Sequence, residues 1–377
     1  MLDTLHNVRQ NQSLPCARCQ NDGAFTVRTE RLCKDCFIKY VTTKVIKRLE
    51  ANKVRGGYGE KASKILIPIS FGISSISLLH VLDVHLQKRQ GKGRHAGLSV
   101  HLLFIDHSSV LDQDFSRNIS SLKNRFDSFP LQTLLLEECF DYDISLDTLL
   151  NAGSQDSRIP RGNLERLNHL LSAVKGQSSK TDVLGILCQR LIAAFANANG
   201  FDVVLYGDTT SRLAERTLAE TAKGRGSLVS LQTMDTRGQG KSNHVYAMRD
   251  LLRKELGLYA EVVDPPLSPL ILQTETTPPM TSAKHNSIDG LMRQYVESVE
   301  LQYPSVVANV VRTTGKLKIP QIDEGTRNCN MCDGPLWTRP SGQQEKPESP
   351  SEDRNGLLRA REISLLCRGC ERTLQPT

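Results

Sequence analysis

The sequence predicts an α/β fold: a parallel sheet with helices on both faces, with a small four-cysteine metal unit at either end of the chain. Three observations lead there. Apolar runs of strand length alternate with segments of helical period through the middle of the chain. Eight of the ten cysteines fall into four Cys-x-x-Cys pairs, two towards each terminus. The length, 377 residues, exceeds what one hydrophobic core usually supports. The expected division is residues 1–60 (knuckles and a basic helix), 61–275 (the α/β domain) and 276–377 (a helical segment and the second cysteine unit).

At the N-terminal end, Cys16 and Cys19 are followed after thirteen residues by Cys33 and Cys36. Two intervening residues let both sulfurs of a knuckle turn toward one ion, and two knuckles close a tetrahedral thiolate site. Structural zinc is the expectation. An iron–sulfur cluster suits four thiolates too, and disulfides are the plain alternative. The first residues lack the apolar core of a signal peptide and no apolar run approaches the ~18 residues of a membrane span. A cytoplasmic chain with reduced thiols and no membrane partner is therefore expected. A closed four-cysteine site has no open coordination position for hydrolytic chemistry.

Between Arg28 and Lys64 stand eleven basic and four acidic residues, an excess of +7, equal to the net charge of the whole chain. The stretch FIKYVTTKVIKRLE reads as a helix with Val41, Val45 and Leu49 on one face. Lys39, Lys44, Lys47 and Arg48 on its other faces are candidate contacts for RNA phosphates, or else a solvated surface. Aromatic residues are only 5% of the chain, too few for a base-stacking platform.

In the central segment, the apolar run Ile65, Leu66, Ile67, Ile69 reads as a buried strand. A Ser/Gly turn, Ser70 to Ser75, leads into a helix with Ile76, Leu79, Leu82 and Leu86. A second strand, SVHLLFIDHS, ends in Asp106. The helix LCQRLIAAFANANG then leads to the strand FDVVLYGD, which ends in Gly207 and Asp208, and to the helix SRLAERTLAETAKG. In such sheets ligands lie beyond the carboxyl ends of the strands, and a helix N-terminus there favours an anion. Ser70, Gly72, Ser74, Ser75, Asp106, Gly207 and Asp208 are the candidate nucleotide-loop residues. Cys139 and Cys188, in apolar surroundings, read as small buried hydrophobes, and catalysis by Asp106 with His107 is not expected.

At the C-terminal end, residues 276–286 read as a linker. A helix, a break at Pro304 and a second helix or strand follow, expected to pack the last unit onto the sheet. Cys329 and Cys332 are separated by thirty-four residues from Cys367 and Cys370, the second zinc-type set. Residues 338–356, rich in Pro, Ser, Glu and Gln, are expected to form a flexible loop within it.

The knuckles CARC and CKDCF, the turn SFGISS, LLFIDHS, LYGDTTSRLAERTLAETAKGRG, MRDLLRKELGLYA, YPSVVANVVRTTGKL and the final CNMC and CRGC resemble, in that order, the PP-loop ATP pyrophosphatases that thiolate tRNA. Within them the chain is most similar to the cytoplasmic tRNA 2-thiolation protein 2 family. The resemblance implies a heterodimer with a catalytic paralogue. That enzyme adenylates the wobble uridine and receives sulfur from a thiocarboxylated ubiquitin-related modifier, the same modifier used in protein urmylation. The product is 5-methoxycarbonylmethyl-2-thiouridine at position 34 of tRNA Lys, Glu and Gln.

Three departures from the catalytic pattern matter. Phe71 stands where the Ser-Gly-Gly-x-x-Ser loop has its first glycine, so a side chain would crowd the approach of phosphates and strain a positive φ. Either the loop conformation differs or the hold on ATP is lost. Thr181 and Leu184 stand where the family carries a Cys-x-x-Cys just before a helix, and a third family cysteine has no counterpart near DPPLSPLILQTETTPP. In Gly207–Arg212 the second acidic position is basic. No catalytic residue is assigned, and a non-catalytic scaffold and tRNA-binding subunit is expected. The alternatives are an active adenylating sulfurtransferase with an unusual loop, or a zinc-containing RNA-binding protein unrelated to thiolation.

Overall fold

The computed structural model describes residues 15–52, 54, 62–91, 97–111, 113–151, 161–236, 242–272, 287–317, 326–336 and 365–374. The expected linker at 276–286 and loop at 338–356 lie outside the described residues, as do Lys53, Arg55 and Lys61.

A hairpin of β1 (Phe25–Val27) and β2 (Glu30–Leu32) carries the first knuckles and runs into α1 (Lys34–Ala51). Phe37, Val41, Val45 and Leu49 bury the inner face of α1, as its spacing predicts. Then come β3 (Ser63–Ile69), α2 (Ile73–Gln90), β4 (Leu98–Asp106), α3 (Ser116–Arg125) and β5 (Leu131–Leu135). Short helices α4 (Cys139–Tyr142) and α5 (Asp147–Asn151) precede α6 (Asn163–Ala173) and α7 (Gln177–Ala198). The chain continues through β6 (Val203–Tyr206), α8 (Thr210–Ala222), α9 (Val229–Thr233), β7 (Asn243–Tyr246) and α10 (Arg253–Val262). It closes with α11 (Ile288–Gln302), α12 (Pro304–Thr314) and α13 (Arg368–Leu374).

The five-stranded sheet has the order β5-β4-β3-β6-β7, every pair parallel. Alternation along the strands divides the core into two layers. Ile65, Ile67 and Ile69 of β3, with Leu102 and Phe104 of β4, face α1, α2 and α10. Leu66, Leu103, Ile105 and Val204 face the opposite way, toward α6 and α7. The helix α7 stops at Asn199, and Gly200 takes φ +65°, the left-handed residue that commonly ends a helix.

Two expectations are corrected. First, α7 begins at Gln177, so Thr181 to Gly185 lie within its first three turns rather than before it. Second, α11 and α12 pack against α8 in a separate small cluster with Leu213, Val296, Val307 and Val311. The C-terminal cysteine unit rests directly on α7. Arg190 of α7 donates to the carbonyls of Asn330 and Met331 and pairs with Asp143.

Arg225, just past α8, is 1% exposed. It donates to Asp182 at 2.9 Å and to Glu220 at 2.6 Å. Lys223 joins the same carboxylates and Asp289, and Thr373 of α13 donates to Asp182 at 2.8 Å. This buried network fastens α13 and α11 to α7 and α8. Its charges are paired, as burial demands. Among the described residues no helix is long and apolar enough to cross a membrane.

Candidate functional site

The strand order places a topological switch beside β3, where the connection to β4 runs one way and β6 adds on the other side. The turn from Ser70 to Gly72 leaves β3 at this point and opens α2, whose first-turn amides receive no side-chain cap. Its polar groups are turned toward one another. Ser75 Oγ donates to the Gly72 carbonyl at 3.0 Å, the Ser70 amide reaches Ser75 Oγ at 3.4 Å, and the Gly72 amide reaches Ser70 Oγ at 3.4 Å. Gly207, at the end of β6, lies against this turn. A Cβ there would stand 3.0 Å from the Ser75 nitrogen and 3.1 Å from the Ser74 carbonyl carbon.

Phe71 does adopt a positive φ, +53°. The expectation that its ring crowds the phosphate approach is not met, because the ring is fully buried beneath the turn. It meets Phe104 edge-on at 4.9 Å and stacks toward Phe115 at 6.5 Å. The strained backbone is held by this packing and by the Leu272 amide, which donates to the Phe71 carbonyl at 2.8 Å.

Asp106 is not brought to the turn by any hydrogen bond. It accepts from the Ser108 amide at 2.8 Å and closes its own Asx turn. His107 binds the Ile105 carbonyl at 2.9 Å, and burial pushes its pKa down from the ordinary histidine value. Asp208 faces a cavity of about 270 Å3 between α7 and α8, lined also by Thr181, Gly185, Tyr206 and Arg216. Its carboxylate lies 3.9 Å from Arg216. Burial disfavours the Arg216 charge, but Tyr246 and Asp208 beside it hold its pKa above the usual arginine value. The hydroxyls after Asp208 are structural. Thr209 caps α8, Thr210 donates to the Arg249 carbonyl at 2.5 Å, and Ser211 donates to Glu300 of α11.

Of the two remaining cysteines, Cys139 is fully buried, and burial drives its thiol up to about 12. Cys188 is half-buried, packs against the same apolar layer and is likewise pushed up to about 12 by desolvation. Neither is an activated thiolate.

Both cysteine sets converge. In each, the four sulfurs lie within 4.8 Å of one another. Cys19 and Cys33 are 3.5 Å apart, and Cys332 and Cys367 are 3.8 Å apart. One ion bound tetrahedrally at ~2.3 Å places thiolates ~3.8 Å apart, so both sets fit a single ion. The Arg18 amide donates to Cys16 Sγ at 3.5 Å and the Cys367 amide to Cys329 Sγ at 3.2 Å, contacts that support charged thiolates. Desolvation opposes the Cys16 thiolate, yet the backbone amides of Arg18, Cys33 and Cys19 bring its pKa down to about 6.

The four candidate RNA cations of α1 separate. Lys39 and Lys47 are exposed. Lys44 donates to Tyr40 Oη at 2.7 Å and to the Asp250 carbonyl at 2.8 Å. Arg48 pairs with Asp235. Lys44, Lys47 and Arg48 line a cleft of about 890 Å3, which sequence spacing could not show because its other wall comes from the far end of the chain.

A family model described as cytoplasmic tRNA 2-thiolation protein 2 matches residues 287–362. A protein of that name from Phaeosphaeria nodorum is 36% identical, covering 95% of this chain and 94% of its own. Another from Coccidioides immitis is 34% identical, covering 96% and 97%. A solved structure, the U34-tRNA thiolase NcsA from Methanococcus maripaludis with its [4Fe-4S] cluster, superposes with a TM-score of 0.57 at 13% identity, covering 86% of this chain and 93% of its own. That likeness is one of fold. With relatives this similar along nearly its whole length, the chain belongs to the cytoplasmic tRNA 2-thiolation protein 2 family.

Proposed function

We propose that this chain is the non-catalytic subunit of a cytoplasmic tRNA thiolase, holding tRNA and a catalytic paralogue together while that partner performs the sulfur chemistry. The family name and the thiolase-like sheet support a role in tRNA 2-thiolation. The observation that carries the non-catalytic reading is the cavity at the end of β6. Thr181 and Gly185 of α7 face Asp208 and Arg216 across it, and no cysteine is among the described residues lining it. Where the resemblance asks for two thiolates, α7 presents Thr181, bonded to the Gln177 carbonyl at 2.9 Å, and Leu184, partly buried against the core. Sulfur transfer needs a thiolate or a cluster to carry the sulfur, and this cavity supplies neither.

In this reading the modified base is the wobble uridine of tRNA Lys, Glu and Gln. Sulfur reaches the partner from a thiocarboxylated ubiquitin-related modifier. Zinc held by Cys16, Cys19, Cys33 and Cys36, and by Cys329, Cys332, Cys367 and Cys370, fixes the two end units, since four-thiolate sites of this spacing are closed and structural. ATP is activated by the partner; the turn keeps the hydroxyls of Ser70 and Ser75 bound to itself.

The test is reconstitution. Each subunit is omitted in turn from a thiolation assay on unmodified tRNA, and 2-thiouridine is read by mass spectrometry. Product is expected only with both present. Sulfur placed on tRNA by this chain without the partner would refute the assignment.

A further inference from the structure

The cleft beside α1 has a second wall built from segments far along the chain. Arg249 and Asp250 follow β7, and Arg312, Gly315 and Lys316 come from the end of α12. Seven lining cations face two lining acids, Asp235 and Asp250, a balance of +5. Part of that charge is already used. Arg28 pairs with Glu255 at 3.2 Å and Arg48 with Asp235. Lys47, Arg312 and Lys316 are exposed at the rim.

Arg249 sits deeper. Its guanidinium donates to two neutral carbonyls, Thr233 at 2.8 Å and Val311 at 3.3 Å. The carbonyl end of α12, which alone would repel an anion, is thereby covered by a cation. Burial, then the neighbouring Arg48, push the Arg249 pKa below the ordinary arginine value. The buried Nε of Arg48 has no hydrogen-bond partner among the described residues. Cations are thus packed against one another along the groove.

We propose that this cleft between α1 and α12 binds the phosphodiester backbone of tRNA, with Lys47, Arg249, Arg312 and Lys316 as its phosphate contacts. The proposal rests on the tRNA-binding reading above and deepens it by naming the surface. An RNA strand laid there neutralises charge that the protein alone leaves in mutual repulsion, and it needs no aromatic platform. Gly315 is part of the construction: a Cβ at that position would stand 2.8 Å from Arg249 Nη2.

The experiment measures binding of the full chain to an unmodified tRNA transcript across a salt series. It compares wild type, Arg312→Gln with Lys316→Gln, Gly315→Ala, and a control pair, Arg117→Gln with Lys123→Gln, exposed on α3. The α12 pair is expected to weaken binding roughly tenfold at moderate salt, and to reduce the slope of log K against log salt by about 1.5, from ~0.7–0.9 per phosphate contact. Gly315→Ala displaces only the end of a flexible side chain, so it should weaken binding severalfold with an unchanged thermal melt.

Equal losses in the α12 and control pairs would mean a net-charge effect and overturn the cleft. Undiminished binding by the α12 pair would also overturn it while leaving the tRNA-binding reading intact. If the α12 pair keeps tRNA but loses the catalytic partner, the cleft is a protein interface. Displacement of tRNA by millimolar triphosphate would make it a nucleotide site instead. If the wild type binds no tRNA, alone or with its partner, the tRNA-binding reading fails and the cleft with it.

Discussion

Phe71 offers a reversal of an ordinary rule. In most positions Ala is preferred to Gly by ~0.5–1 kcal/mol, because Gly loses more freedom on folding. At φ +53° the preference turns over, since a Cβ in the left-handed region costs ~1–2 kcal/mol. Removing the ring, fully buried between Phe104 and Phe115, costs ~3–5 kcal/mol in either replacement. Phe71→Gly recovers the backbone cost and Phe71→Ala does not. Both variants should be less stable than wild type by several kcal/mol, with the glycine variant above the alanine variant by ~1 kcal/mol. Urea denaturation followed by circular dichroism, with equal m-values, reads the difference. If alanine equals or exceeds glycine, the turn is not strained at Phe71 and the account of its packing is wrong.

Three further outcomes are expected. His80, bonded to Tyr259 at 3.0 Å, is held neutral chiefly by burial, its pKa lowered to about 4 from an ordinary 6.5. The unfolded chain therefore binds more protons between those values, and stability falls as pH drops through them. The loss from pH 7 to pH 5 should be ~2 kcal/mol, and His80→Gln should remove that part of the pH dependence in melting curves. Gly207→Ala meets backbone atoms of Ser74 and Ser75 that cannot swing aside, so it should cost ~1–3 kcal/mol. Gly257→Ala, in α10 with open space around it, should instead stabilise by up to ~1 kcal/mol; a common sign would refute the close approach at Gly207. Elemental analysis should find two zinc ions per chain, and Cys16→Ser and Cys370→Ser should each lose one. Several irons per chain would contradict single-ion sites.

The reasons some features were legible in the sequence and others not are physical. The strands β3 and β4 are buried on both faces, so their apolar runs are dense and unambiguous. The edge strands β5 and β7 carry little of that signal: LQTLL has one buried residue and NHVY two. Knuckle cysteines are readable because local spacing alone aims two sulfurs at one point. The seat of the C-terminal unit was not, because Arg190 reaches across 140 residues to the Asn330 carbonyl. The basic face of α1 was visible as composition. That Lys44 and Arg48 turn inward while Lys47 shares a groove with Lys316 depends on the tertiary fold.

The interior salt network around Arg225 ties the fate of the last cysteine unit to the helices beneath it. Gly369 approaches so closely that a Cβ there would collide with Arg225 Cγ, and the guanidinium comes within 4.0 Å of Cys370 Sγ. Stripping an ion held by those four sulfurs would therefore loosen the lid over a guanidinium that Asp182 and Glu220 bind tightly. Deuterium uptake after chelation should rise along α7 and α8 together with α13, as one cooperative block, rather than at the cysteines alone.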